Sequence, residues 1–163
     1  MLSAESHIRE RLRHRLPSEV QVLAAADLGG VTDAAQFTPA VHVAFGGYRV
    51  IAADGEVTDI ETTWHTVVAV RNARDQIDGK AARADACSIV GLLYQALAGW
   101  LPPGCSAVMR LSEAPQPAFS AGFYYLPLAW KTRLTLVAGR DAETAPTLTR
   151  VTADYGFEQE DIP

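Results

Sequence analysis

Residues 67–100, VVAVRNARDQIDGKAARADACSIVGLLYQALAGW, decide the fold. Val67 to Val70 is apolar at every position, as in a strand covered on both faces. The chain leaves that strand through Arg71-Asn72-Ala73-Arg74 and turns at Asp78-Gly79. A helix then runs from about Lys80 to Gly99. Ala82, Ala86, Ile89, Val90, Leu93, Leu97 and Trp100 form its apolar stripe, and Pro102-Pro103 stop it. Such a helix reaches ~30 Å, enough to cross a four- or five-stranded sheet. The unit carries no catalytic signature. Arg71 and Arg74 sit where a guanidinium can pair with a carboxylate of another chain, which makes both candidate contact residues.

Upstream, residues 3–16 read as a helix with Ser3 as cap, an Ile8/Leu12/Leu16 stripe and Pro17 as its end. A short strand spans about Glu19 to Ala24, and a loop passes Asp27-Leu28-Gly29-Gly30 and Thr32-Asp33. Thr38 to Phe45 is a second strand with Val41, Val43 and Phe45 on one face and His42 and Ala44 on the other. Gly46-Gly47 reads as a break. Residues 46–58 read as a β-hairpin arm turning at Asp54-Gly55. A third strand, about Asp59 to Arg71, sets Ile60, Trp64, Val68 and Val70 against Thr63, His65, Val67 and Ala69.

Downstream, Ala107 to Leu111 is a fourth strand, and Gly122 to Val137 a long last one. Pro127 in the latter calls for an edge position or a bulge. Phe123, Tyr124, Tyr125 and Trp130 read as core aromatics, with an interface as the other reading. Thr147 to Val151 is a weak strand candidate. The expected fold is therefore α+β in the order α-β-β-β-α-β-β: a mixed, mainly antiparallel sheet of four to five strands under an N-terminal helix and one long central helix. Residues 1–138 form one domain, and residues 139–163 an acidic extension.

The chain has 163 residues, 48% of them hydrophobic and 20% charged, with a net charge of −5. That suits one soluble domain with a real core and argues against global disorder. The charge is uneven. Past Gly139, Asp141, Glu143, Asp154, Glu158, Glu160 and Asp161 face only Arg140 and Arg150. The first helix is arginine-rich instead, with Arg9, Arg11, Arg13 and Arg15. The two ends suit electrostatic pairing between subunits, with Arg9, Arg13, Asp154 and Glu158 as candidates, or two solvated faces. No stretch resembles a secretory signal, and none approaches the ~18 consecutive apolar residues of a membrane span. Cys87 and Cys105, without a paired motif, read as buried thiols in a reducing compartment, most simply a cytoplasm.

Site chemistry is sparse. There is no nucleophile elbow, and no zinc, calcium or phosphate-loop pattern. His7 and His14 are two turns apart on one helix, too far for a metal pair, though they point roughly the same way. His42 and His65 lie on strands that pairing can bring together, which leaves open a small enzymatic or ligand-binding site if they converge in a pocket. An acidic chain without a basic, aromatic-interleaved stripe gives no reason to expect sequence-specific nucleic-acid binding. No cofactor, metal or catalytic residue is expected.

Pro39-Ala-Val-His-Val-Ala-Phe-Gly-Gly, Trp64-x-x-Val-Val-Ala-Val-Arg-Asn-Ala-Arg, Asp78-Gly79-Lys80-Ala81-Ala82-Arg83 and Leu97-Ala98-Gly99-Trp100 before Pro102-Pro103-Gly104 resemble the Mu-like tail-terminator family of contractile-tailed bacteriophages. The resemblance covers roughly residues 4–138. It implies a non-enzymatic virion protein, assembled in the host cytoplasm, at the head-proximal end of the tail. There it forms a ring, typically six-fold, that caps the tail tube, stops its polymerisation and meets the sheath and the head connector. A head–tail connector or stopper, or a tail-completion adaptor, is the alternative. Within the arm, Tyr48, Arg49, Asp54 and Glu56 join Arg71 and Arg74 as candidate contacts.

Overall fold

The computed structural model describes residues 3–25, 38–71 and 80–138. In chain order the elements are α1 (Ser3–Arg15), β1 (Gln21–Ala25), β2 (Ala40–Asp54) and β3 (Val57–Arg71), then α2 (Lys80–Leu97), β4 (Arg110–Ser112), β5 (Ala118–Ser120) and β6 (Phe123–Val137). They form an α+β fold around one six-stranded sheet, ordered β1-β2-β3-β6-β4 with β5 also on β6. β1 runs parallel to β2 and every other pairing is antiparallel. The sheet thus exceeds the four to five strands expected. β5 is three residues long, too short for a periodicity to register.

β3 is central because its side chains suit burial on both faces. Ile60, Thr62, Trp64, Thr66, Val68 and Val70 are buried on the helix side. Val67 and Ala69 are buried on the other side, with Ala40 and Tyr125. β3 pairs with β6 over their whole lengths without a register shift, which puts Trp64 directly across from Trp130. Both indoles are fully buried, and Trp130 Nε1 donates to Thr66 Oγ1 at 2.9 Å.

The two helices among the described residues lie over that face. α1 contributes Ala4, Ile8 and Leu12, one residue per turn, and Leu16 follows just past its end. α2 contributes Ala82, Ala86, Ile89, Leu93, Ala96 and Leu97. α2 ends where Gly99 takes φ +73°, a left-handed conformation natural to glycine. Gly99 N then donates to Met109 O at 3.0 Å, and Met109 N to Trp100 O at 2.7 Å, so the end of the helix is tied to the approach to β4. Trp100 is half-buried there rather than enclosed. Cys87 lies beside the stripe and is exposed, against the expectation of a buried thiol; Cys105 is half-buried and both are free.

Three local expectations need correction. Gly46-Gly47 does not end a strand. β2 continues through it with a shift of register between Phe45 and Gly47, so the arm is the continuation of the core hairpin. A Cβ at Gly46 would collide with the His65 ring, whereas glycine lets strand and imidazole pass. The turn falls at Gly55-Glu56, one residue later than expected, with Gly55 at φ +55°. Pro127 lies in a strand flanked on both sides and without a bulge. Its position falls between the residues of β6 that β5 takes (123–125) and those that β4 takes (129–131), so its missing N–H falls where the flanking strand is interrupted. β4 itself starts later than Ala107. The strand candidate Thr147–Val151 and the loop at Asp27–Asp33 lie outside the described residues.

Leu93→Ala or Leu97→Ala, each at a fully buried position, is expected to cost ~2–5 kcal/mol in urea unfolding. Thr66→Val keeps the shape but leaves the Trp130 N–H without its acceptor, and is expected to cost ~1–3 kcal/mol. Unchanged midpoints in both would refute this account of the core.

Candidate functional site: a two-faced β arm

Beyond Phe45 on β2 the helices no longer cover the sheet. β2, β3 and β6 continue as three strands, about 30 Å long at ~3.3 Å per residue. The turn end is fastened by Ala138 N donating to Glu56 O at 2.7 Å. Paired residues in neighbouring strands share a face, so register sorts the side chains.

On the helix-side face, three rows cross the arm: Tyr48–Thr62–Thr132, Val50–Ile60–Leu134 and Ala53–Thr58–Leu136. Thr62, Thr132 and Ile60 are buried, with Thr132 Oγ1 donating to Ala107 O at 2.5 Å. Tyr48 (58% exposed), Val50 (56%) and Leu136 (41%) are open, although they continue the face that packs under the helices further along. Uncovered apolar side chains grouped on one flat face mark a contact surface rather than scattered surface residues.

The other face is polar. Arg49 Nε donates to Glu61 Oε1 at 2.8 Å, and Lys131 Nζ lies 3.4 Å from the same oxygen. The Arg49 hydrogen bond, helped by Lys131, holds the Glu61 carboxyl below the usual carboxylate range, while Glu61 raises Arg49. Thr135 Oγ1 donates to Asp59 Oδ1 at 2.6 Å. A cavity of about 170 Å³ opens beside Glu61, between Arg110, Lys131 and Arg133. At the tip apolar side chains reach this face, where Val57 pairs with Val137.

The expected contact residues therefore fall in different places. Tyr48 stands on the apolar face, Arg49 is tied across the polar one, and Asp54 and Glu56 flank the tip. Arg71 is exposed at the opposite end of β3. On α1, Arg9 faces Glu5 at 3.5 Å and Arg13 Nη2 donates to Val22 O at 3.2 Å, so both are engaged within the fold. Arg74, Asp154 and Glu158 lie outside the described residues. Val50 and Leu136 were missed as contact residues. Their alternation is visible in the sequence, but not the end of helix cover.

His42 and His65 share the face opposite the helices, on diagonal positions of paired strands. His42 is fully buried and, among the described residues, neither of its ring nitrogens has a hydrogen-bond partner, nor has His65 Nδ1. Among the described residues no three His, Cys, Asp or Glu side chains gather as a metal site. No described helix is long and apolar enough to cross a membrane.

Burial pushes both imidazoles below the ordinary histidine range. The folded chain then binds fewer protons than the unfolded one, so this stability is complete above about pH 6.5 and is lost as pH falls below it toward the folded values. The urea midpoint is expected to drop from about pH 7.5 to about pH 5.5, a window above the carboxylate range, and His42→Leu is expected to flatten the drop. A flat native profile would contradict neutral burial.

No curated protein matches the chain. The family model for phage tail terminator proteins matches residues 1–143, taking in both helices, the whole sheet and the arm. The chain belongs to the phage tail terminator family.

Proposed function

We propose that the protein is a structural, non-enzymatic tail terminator that closes into a ring at the head-proximal end of the tail. The ring caps the tube, stops its growth, and presents surfaces to the sheath and the head connector. Family membership supports a structural role in a phage tail. The observation that carries the finer reading is the arm: a three-stranded sheet whose apolar face leaves Tyr48, Val50 and Leu136 exposed among the described residues.

A ring needs heterologous contacts, one surface of each subunit meeting a different surface of the next. A projecting sheet with one apolar and one hydrogen-bonded polar face suits that task. The apolar face supplies burial at ~25 cal/mol per Å², and the polar face stays in water. Arg71, exposed at the far end of β3, is a second point of contact in this reading.

Size-exclusion chromatography with light scattering, backed by electron micrographs, tests the proposal. The native chain is expected to form rings, alone or on tube ends. Tyr48→Asp combined with Val50→Asp is expected to keep the far-ultraviolet circular dichroism and give monomers that no longer cap tubes. Arg71→Glu is expected to fold normally and weaken assembly. Unchanged rings in the double variant would exclude the arm face as a seam, and a strict monomer that also ignores tubes would remove the terminator reading.

A further inference from the structure

A second surface, on the helical layer, has the chemistry of a docking groove. His7, Arg11, His14 and Arg15 of α1, with Glu10, form one wall, and Trp100 and Pro103 the other, around a cavity of about 230 Å³. Arg11 is fixed: its Nε donates to Ala96 O at 2.5 Å, near the end of α2, and its guanidinium lies 4.8 Å from the centre of the Trp100 ring. Partial burial and the charge of Arg15 lower the Arg11 pKa. Arg15 makes no ion pair among the described residues, and His7 Nδ1 is buried without a hydrogen-bond partner. Two guanidinium groups against one carboxylate, beside an indole, favour an anionic segment that carries aromatic side chains.

The chain supplies such a segment. Residues 151–163, VTADYGFEQEDIP, hold Asp154, Glu158, Glu160 and Asp161, no lysine or arginine, and Tyr155 and Phe157 between the acids. They lie past residue 143, where the family match ends. We propose that the acidic segment Asp154–Asp161 docks in this groove of its own protomer, its carboxylates on Arg11 and Arg15 and an aromatic ring beside Trp100.

Reach permits it. About 15 residues separate Ala138, at the arm tip, from Asp154 and span up to ~50 Å. The way back from the tip to the level of Val41, where α1 packs, is ~43 Å of strand. Tethering also gives the segment an effective concentration that a free acidic partner has to exceed. The inference stands apart from ring assembly and holds or fails in a monomer.

Trp64 and Trp130 are fully buried, so acrylamide quenching of tryptophan fluorescence in the intact chain reports mainly on Trp100. The full-length variant D154N/E158Q/E160Q/D161N is expected to be quenched more strongly than the native chain. The native chain is expected to reach the same value when salt rises from about 50 to about 500 mM. Arg15→Glu, at an exposed position, is expected to behave like the neutralised tail. Arg15→Glu combined with D154K/E158K/E160K/D161K is expected to regain protection and salt sensitivity. Trp100→Phe removes the accessible signal and serves as control. Equal quenching of native and neutralised chains overturns the proposal. Protection that is the same at roughly 1 µM and roughly 100 µM protein supports docking within one protomer, and protection that appears only at the higher concentration overturns it in favour of a neighbour's segment.

Discussion

The pairing of β3 with β6 is the constraint on which the molecule depends. Both strands run fifteen residues in one unbroken register, and the two largest buried side chains, Trp64 and Trp130, face each other at its middle. Slipping that register by one residue would turn every core side chain to the opposite face. The helices have a surface to pack on only because the register holds, and β4 and β5 are fastened to the molecule through β6. The same ladder runs on past the helices and becomes two of the three strands of the arm. Core and arm are two lengths of one sheet, distinguished by whether the two described helices pack on it.

Much of this was legible in residues. The alternation from Ile60 to Val70, the four-residue spacing of Ile8, Leu12 and Leu16, and the stripe of α2 each report a local period that tertiary packing respects. The misreadings arise where local chemistry has two outcomes. A Gly-Gly pair ends a strand or bends it, and here the His65 ring over Gly46 decides for the bend. A proline in a strand asks for a free edge, and an interrupted neighbour answers as well as an outer position does.

The contact surface was only half legible. Tyr48 could be named because the arm could be named. Val50 and Leu136 follow the same alternation as buried positions, and nothing local tells where helix cover ends. On α1 all four arginines look alike in sequence. Arg9 and Arg13 face Glu5 and Val22, while Arg11, tied to Ala96, lines the groove with Arg15 and Trp100, because helical spacing sorts them to different sides. Charge counting located the helix but not the side that matters.

The two short strands along β6 have a consequence of their own. A long open edge invites another chain to add a strand, and then another, without limit. Along residues 123–131 of β6 that edge is taken up in three-residue lengths on either side of Pro127, so a foreign strand finds no continuous template over that length. The outer edges of β2 beyond Ala44 and of β6 beyond Lys131, by contrast, carry no strand among the described residues. Backbone-mediated association on the β6 side is therefore blocked beside the core and available along the arm. Strand addition on the β6 side is thus steered away from the core and onto the arm, where the receptive margin is continuous.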